Sequence, residues 1–416
     1  PVAVLINKAM IEIPPKFAGK PPVNREAKKQ TSMNPHAWSG ARGLAEDVRY
    51  YGKWMRDEAE KRIGHLYPKI EVTAEMVKER PDLKKYVGRK LTVIAWLWAR
   101  TVKSPNPAFA NMDVPLASTF MLSTKAGKEA YIDPIIENGG YRFTVKLGKP
   151  KDAEAAKNGT KLARGANFRC VMSGTPIAQD HIREEFKAKR AGERLMAIVA
   201  EGDRSRVYLS PTHVHEAIAH QARPAWKPEV EMNQDSKDLL SGRGYGFKYW
   251  YELFTPRQLL ALTTLSDLVQ EARERVQADA LTAGLPDPRT GPGQAGKPLK
   301  DGGSGAAAYA DAVSVYLGLA IDKASDYNSS LVLWSPTRDQ VKTTFSRQAL
   351  PMAWDFAETN VFADAAGDIA VSVDGISRTL AQFGPGSNGH VLASDSQTQS
   401  ISLHKVISTD PPYYNN

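Results

Sequence analysis

The spacing of apolar residues predicts three long helices in this chain. From Gly43 to Gly64, apolar side chains recur every three or four residues, and charged side chains occupy the opposite face. From Thr255 to Ala278 the same spacing follows a threonine that can cap the helix and a proline that suits its first turn. A third helical pattern runs from Ala306 to Ala324. These segments predict helical layers in both halves of the chain.

Between the first two helices, the pattern changes to short runs of β-branched and aromatic residues. From about Thr101 to Met232, glycine, proline and asparagine separate these runs, which is typical of strands joined by turns. The predicted strands are Ser118 to Leu122, Ala130 to Ile135, Tyr141 to Val145, Leu195 to Ala200 and Arg206 to Leu209. The run from Leu91 to Trp96 fits either a buried strand or the start of a helix, because periodicity cannot separate the two over so few residues.

These patterns divide the chain into four segments. Residues 1–100 are predicted to be mostly helical, and residues 101–235 to form a strand-rich insertion. Residues 236–300 combine a helix with a linker rich in glycine and proline, from Gly284 to Gly305. Residues 301–416 lead to a predicted strand at Val406 to Ser408.

Composition and charge narrow the class of protein. The 416 residues are 42% hydrophobic and 24% charged, which is typical of a globular chain with two or three domains. The net charge of +9 favours an anionic partner such as DNA, RNA or a membrane surface, although solubility alone also explains it. The single cysteine, Cys170, fits a reducing compartment. We find no signal peptide and no apolar run long enough to span a bilayer, so we expect a soluble, cytoplasmic protein without membrane contact.

The most specific pattern is Asp410-Pro411-Pro412-Tyr413, which directly follows the last predicted strand. Enzymes that methylate an exocyclic amine flip the base out of the duplex and must make a poorly nucleophilic nitrogen more reactive. The Asp410 carboxylate and the Pro411 carbonyl can accept the two N–H bonds of that amine. The two prolines stiffen the turn without adding N–H donors, and the Tyr413 ring can stack on the base. The same four residues also occur in unrelated surface turns, so the motif alone leaves both interpretations open.

Other characteristic stretches of sequence accompany this motif and are spread over nearly the whole chain. They are Pro1 to Ala9, Gly43 to Gly52, Leu195 to Gly202, Phe254 to Leu259, Ser329 to Leu331, Phe345 to Met352, Trp354 to Glu358 with Asn360, and Ser408 to Tyr414. Together they resemble the adenine-specific DNA methylases that contain a zinc-ribbon insertion. The resemblance implies a three-layer α/β, Rossmann-like methyltransferase fold that uses S-adenosylmethionine and is interrupted by the strand-rich insertion. It also implies DNA as the substrate, adenine as the target base and, by association, restriction or phage-defence proteins as partners.

The chain departs from this family at the cofactor site. In the family, a glycine-rich loop and an acidic residue bind S-adenosylmethionine, and Pro1 and Val2 would lie just after them. Since the loop is missing here, we expect this chain to be inactive alone. The first residues have the pattern of the middle of a helix and the last ones stop directly after the motif, so we expect both ends to be truncated. Cytosine amino-methylation, RNA methylation and a catalytically inactive DNA-binding or partner subunit are the alternatives.

The zinc ribbon also departs from the family. The resemblance places its two ligand pairs at Ser104 and Phe109 and at Cys170 and Ser173. One thiol cannot hold a tetrahedral zinc ion, so we expect no zinc, with apolar packing around Phe109 in its place. A second candidate metal set comprises His213, His215 and His220. Surface or capping histidines are the commoner explanation for that spacing.

Basic residues of the insertion are candidates for contact with DNA, because the stretch from Thr101 to Phe254 occupies the place of a target-recognition domain. The predicted DNA-binding residues are Lys187, Lys189, Arg190, Arg243 and Lys248. They can bind phosphate groups, although a solvated helix face is the simpler explanation for the run near Lys187. Aromatic residues from Tyr245 to Tyr251 accompany them, which suits nucleic-acid contact or a strand packed on the core equally well.

Overall fold

A computed structural model describes residues 2–29, 38–287, 289, 296–346, 348–384, 386, 389–395, 398–400, 403 and 406. Its α-helices are α1 (Val2–Ile11), α2 (Ile13–Lys16), α3 (Arg25–Lys29), α4 (Arg42–Ile63), α5 (Ala74–Glu79), α6 (Ala153–Asn158), α7 (Gln179–Lys187), α8 (His213–Ala219), α9 (Pro256–Thr282), α10 (Ala306–Ser325) and α11 (Ile369–Leu380). Its strands are β1 (Ile70–Glu71), β2 (Lys90–Leu91), β3 (Val93–Lys103), β4 (Asp113–Leu116), β5 (Met121–Ser123), β6 (Ala130–Glu137), β7 (Gly140–Leu147), β8 (Phe168–Arg169), β9 (Pro176–Ile177), β10 (Gly192–Gly202), β11 (Ser205–Leu209), β12 (Trp334–Ser335), β13 (Gln340–Val341) and β14 (Asp355–Thr359). Turns of 3-10 helix lie at Gly64–Leu66, Pro81–Tyr86, Pro107–Phe109, Ser241–Arg243, Trp250–Leu253 and Leu299–Asp301.

The central sheet is built around β3, which is buried along almost its whole length. The strand order is β11-β10-β3-β14, and β4 pairs with the end of β3. The run from Leu91 to Trp96, which periodicity left undecided, is therefore not helical: Leu91 ends β2, and Val93 begins β3. A strand buried on both faces carries a continuous apolar run instead of an alternating one, which is why its pattern resembled a buried helix.

The two faces of the central sheet are covered differently. Trp96, Trp98 and Phe356 share one core with the long helices, in which α9 packs along α10 and α4 packs against α9 and α11. On the other face, side chains such as Leu97 and Val199 pack against the separate sheet β5-β6-β7. The described chain is thus layered as helices, central sheet and second sheet.

The predicted mixed α/β class is confirmed, but all strand pairs within the described ranges are antiparallel. A Rossmann-like sheet consists mainly of parallel strands with helices on both faces. That part of the prediction has no counterpart among the described strand pairs. The sequence pattern identifies strands, whereas their direction depends on the turns that join β6 to β7 and β10 to β11 and, for β3, β10 and β14, on contacts between distant segments.

The helix predictions are confirmed to within a few residues. The helix α9 begins where expected, because Thr255 Oγ accepts a hydrogen bond from Gln258 N at 3.1 Å while Gln258 Oε1 accepts one from Thr255 N at 2.9 Å. Val406 is not in a strand, and the rest of the predicted C-terminal strand lies outside the described residues. Among the helices of the described ranges, none combines the length and the apolar character that crossing a bilayer requires.

Candidate functional site

The predicted catalytic motif, Asp410-Pro411-Pro412-Tyr413, lies outside the described residues, and so does Pro1. Val2, which the resemblance places just after the cofactor loop, begins α1 and is exposed. The described candidates are therefore the stretches that carry the resemblance, the positions of the zinc ligands and the basic residues of the insertion.

Two of the resembling stretches meet at a buried ion pair. The guanidinium of Arg257, in the first turn of α9, binds both carboxylate oxygens of Glu358 on β14, with Nη2–Oε2 at 2.7 Å and Nε–Oε1 at 3.1 Å. The hydroxyl of Thr255 donates to the same carboxylate at 2.7 Å. Both charged side chains are almost fully inaccessible, with 0% and 1% of their surface exposed. The capped start of α9 is thereby fixed to the central sheet.

The surroundings of Arg257 satisfy its remaining charge within the protein. Its Nη1 donates to the carbonyl of Leu66 at 2.9 Å, and its guanidinium lies 4.0 Å from the ring centre of Trp96. The indole N–H of Trp96 donates to Nδ1 of His215 at 2.8 Å, so that this nitrogen carries no proton. Burial and the nearby Arg257 lower the pKa of His215 to about 4. The cluster is a closed network that holds helix and sheet together.

A third resembling stretch, Ser329 to Leu331, joins the same interior through Arg100. The Arg100 guanidinium donates to Ser330 Oγ at 2.8 Å and to the carbonyl of Ala353 at 2.8 Å, directly before the Trp354 stretch. Asn360 closes the other end of β14, because its Nδ2 donates to the carbonyl of Val93 at 2.8 Å. Glu358 thus fixes the start of α9 to β14, and Asn360 joins the end of β14 to β3, which the sequence alone did not reveal.

The predicted zinc-ligand positions come together in part. Ser104, at the end of β3, places its Oγ 3.3 Å from Sγ of Cys170, and both side chains are buried. Burial acts to raise the pKa of the Cys170 thiol, but hydrogen bonds from Ser104, Ser173 and the backbone of residues 172 and 173 outweigh it and lower that pKa. Phe109 is half-buried at the end of a 3-10 turn. In the described part of the chain, no group of three or more His, Cys, Asp or Glu side chains is arranged to hold a metal.

The three candidate histidines of α8 and its end face different surroundings. His215 is buried against Trp96, whereas His213 and His220 are exposed. The His220 ring lies edge-on to Trp98, with 5.8 Å between ring centres. These contacts give two of the histidines a packing role beside tryptophans.

Four of the predicted DNA-binding residues, Lys187, Lys189, Arg190 and Lys248, form what we call the Lys189 patch. The backbone of Lys187 lies against Gly246, whose carbonyl accepts a hydrogen bond from Lys189 Nζ at 3.2 Å. The acids that pair with the patch within 3 Å are Glu252 with Lys189, Glu185 with Arg190, and Glu231 with Lys248. The fifth predicted residue, Arg243, buries its Nε without a hydrogen-bond partner among the described residues.

The aromatic residues beside the patch divide between core and surface. Tyr245 and Phe247 pack around Phe186 and are buried, although the segment that carries them is not a strand. Tyr249 and Tyr251 are partly exposed and stack with 5.4 Å between ring centres. The first pair belongs to the core. The second pair is an exposed aromatic surface beside basic residues, which is an arrangement that suits contact with nucleic acid.

A basic cleft that the sequence did not indicate lies on the second sheet's side of the chain. We call it the hairpin groove: a cleft of about 1120 Å³ lined by the 3-10 turn Pro81–Tyr86 and by the turns that join β5 to β6, β10 to β11 and β12 to β13. The basic side chains that line it are Arg80, Lys85, Lys125, Lys128, Arg204, Arg206 and Arg338. These residues lie far apart in the sequence, between positions 80 and 338, so no local run of basic residues indicates the groove.

Comparison with known proteins gives no relative for this chain. No protein-family model matches it, and neither a curated protein nor a solved structure does.

Proposed function

We propose that this chain is the base-binding part of an S-adenosylmethionine-dependent methyltransferase that acts on the exocyclic amine of adenine in DNA. The motif from Asp410 to Tyr413 carries the chemistry. The Asp410 carboxylate and the Pro411 carbonyl accept the two N–H bonds of the amine and localise its lone pair, which raises its nucleophilicity. Pro412 stiffens the turn, and the Tyr413 ring stacks on the flipped base.

The observation that carries this proposal is the contact between Ser104 and Cys170. The resemblance assigns these positions, 66 residues apart, to the two ligand pairs of one zinc ribbon. Nothing in the local sequence pairs a serine after β3 with the lone cysteine of the chain. Their meeting at 3.3 Å therefore supports the resemblance from which the methylase function follows.

The proposal includes a Rossmann-like cofactor domain, in which bound S-adenosylmethionine supplies the electrophilic methyl group. The described residues do not fit this cofactor. Their glycine-rich run, Gly302 to Gly305, precedes α10 without a strand before it, and a β-carbon at Gly303 would lie 1.7 Å from the carbonyl oxygen of Lys297. That glycine serves close packing of its own loop, and the proposal assigns no cofactor contact to a described residue.

DNA is the proposed macromolecular partner. The net charge of +9 and the position of the strand-rich segment support a DNA-gripping role for residues between Thr101 and Phe254. Cognate restriction or phage-defence proteins are proposed as partners only through association with such methylases.

Methyl transfer from isotope-labelled S-adenosylmethionine to DNA, catalysed by the complete gene product that contains this chain, tests the function. Asp410→Ala removes one acceptor of the amine, and we expect the rate to fall by at least about 100-fold, as for other preorganised hydrogen-bonding groups in active sites. Asp322→Ala is the matched control, because this aspartate is an exposed residue of α10 outside the motif. It should leave the rate unchanged.

Mass spectrometry of the digested DNA identifies the methylated base. N6-methyladenine is the expected product, and N4-methylcytosine would change the target base. Full activity of the Asp410→Ala protein would remove Asp410 from the mechanism. A complete gene product that transfers no methyl group would favour the catalytically inactive DNA-binding subunit instead.

A further inference from the structure

The hairpin groove differs from the rest of the basic surface in how its acidic residues are used. Four acids line it, and three of them are engaged: Asp82 binds Arg80 at 2.8 Å, Asp339 binds Lys125 at 2.8 Å, and Asp203 binds Arg89 at 3.2 Å. Only Glu201 among the lining acids has no salt bridge to a described residue.

The remaining cations of the groove have no acidic partner in the described ranges. They are Lys85, Lys128, Arg204, Arg206 and Arg338. Glu201 stands opposite Arg206 in the β10–β11 register, and five cations against this one carboxylate leave the cleft with a net positive charge, whose field the walls of a cleft concentrate. An anionic ligand is the partner that this arrangement favours.

The walls of the groove are fixed by hydrogen bonds that do not use these free cations. Arg80 Nη1 donates to the carbonyl of Tyr208 at 2.9 Å, and the Tyr208 hydroxyl donates to Asp339 at 2.9 Å. The backbone N–H of Asp203 donates to the Tyr86 hydroxyl at 3.0 Å. The acids and tyrosines hold the turns in place, so the cations without a salt bridge are carried on a preorganised frame.

Arg204 provides a second and independent indication. It lies in the turn between β10 and β11 with φ of 56°, in the left-handed region that glycine or asparagine adopts more easily. An arginine at this position costs backbone free energy that a glycine would not. Arg204 also lines the groove, so this turn places a cation beside the cleft.

From this geometry we infer that the hairpin groove binds the phosphate backbone of the DNA on which the proposed methyltransferase acts. The inference rests on the proposed function for the identity of the polyanion. A cleft of about 1120 Å³ exceeds a single phosphate and accepts a run of backbone. Tyr86 and Tyr208 are buried in its walls, so no aromatic face of theirs is offered to a base. The contact is therefore electrostatic and independent of base sequence.

Fluorescence anisotropy of the full chain with a labelled duplex of about 20 base pairs tests the inference. The groove variant is Arg204→Glu with Arg338→Glu, which reverses charge on two different turns. We expect its affinity for DNA to fall by about 10- to 100-fold and the slope of log K against log salt to become shallower by about two. Arg204→Lys with Arg338→Lys keeps the charge and should retain most of the affinity.

The matched control is Arg25→Glu with Lys28→Glu. These two cations of α3 line a separate cleft beside Pro21 and Tyr309, and their reversal changes the net charge by the same amount. The control should bind DNA like the wild type within about twofold, since salt screens exposed charges beyond roughly 10 Å. Circular dichroism and thermal unfolding establish that all variants are folded.

The outcomes separate the two proposals. If the wild type binds the duplex and the groove and control variants bind equally well, or are weakened equally, the groove inference is overturned while methyl transfer stands. If the wild type does not bind duplex DNA, the groove inference is also overturned, and the methyl-transfer assay with Asp410→Ala then decides the proposed function by itself. Selective weakening of the groove variant supports the inference.

Discussion

The interior around Arg257 and the hairpin groove both concentrate charged residues, but the two regions compensate their charges in opposite ways. Each of the three guanidinium nitrogens of Arg257 donates a hydrogen bond within the protein, to Glu358 or to Leu66, and the guanidinium lies over the Trp96 ring. In the groove, the acids bind only some of the cations and leave Arg204, Arg338 and their neighbours open to the cleft. The Lys189 patch lies between these extremes, since three of its four cations have an acidic partner. Formal charge therefore overstates the positive charge that a ligand can use, and pairing decides where that charge is available.

Breaking the buried pair should have the largest effect. Glu358→Ala leaves the Arg257 guanidinium inaccessible and uncompensated, and we expect the free energy of unfolding to fall by about 3–5 kcal/mol. Asp57→Ala is the control, because its partner Lys53 is 72% exposed, and such a pair contributes less than about 1 kcal/mol. Urea denaturation measures both. Equal losses in the two variants would contradict the assignment of Arg257 and Glu358 to the structural framework.

The neutral state of His215 should make the same interior sensitive to acid. Its pKa in the folded protein is about 4, below the ordinary value of 6.5, so the unfolded chain binds the proton more tightly. The stabilising contribution is complete above pH 6.5 and is lost as the pH falls towards 4. His215→Asn keeps an acceptor for the Trp96 N–H and removes the titration. Between pH 7 and pH 5 the wild type should lose on the order of 1–2 kcal/mol more than the variant.

Two buried carboxyl groups titrate in the same range with the opposite sign. Burial raises the pKa of Asp47 and of Asp368 to about 6, so protonation favours the folded state as the pH falls below that value. The wild type and the His215→Asn variant both contain Asp47 and Asp368, so the contribution of these carboxyl groups cancels when the two proteins are compared. Parallel pH profiles for the two proteins, measured by urea denaturation at each pH, would show that His215 does not titrate on unfolding.

The sequence predicts those parts of the molecule that depend on neighbouring residues. The cap of α9 at Thr255 and the strands β6 and β7 are set by local chemistry, and both were predicted. The direction of the central strands was not, since it depends on how β3, β10 and β14 meet across the fold. The contact of Ser104 with Cys170 was not predicted either, since it joins residues 66 positions apart.

The hairpin groove was not predicted from the sequence, for a related reason. Whether a cation has an acidic partner depends on which acids the fold brings near it, and Asp339 pairs with Lys125 although the two are far apart in the sequence. No window of sequence reveals that Lys125 pairs with an acid while Lys128 has no salt bridge to a described residue. The predicted catalytic motif at Asp410 stays a prediction, because it lies outside the described residues.

The smallest effect on stability is expected for Arg338→Ala in the hairpin groove. Arg338 makes no side-chain contact with an acid in the described chain, so Arg338→Ala removes only repulsion among like charges. We expect the free energy of unfolding to change by less than about 0.5 kcal/mol, without destabilisation. Arg80→Ala is the paired measurement, because the Arg80 guanidinium donates to the carbonyl of Tyr208 and to Asp82 and is mostly buried. Its loss should cost about 1–3 kcal/mol. If Arg338→Ala destabilised the chain as much as Arg80→Ala, the arginine would belong to the frame of the groove and would not be reserved for a ligand.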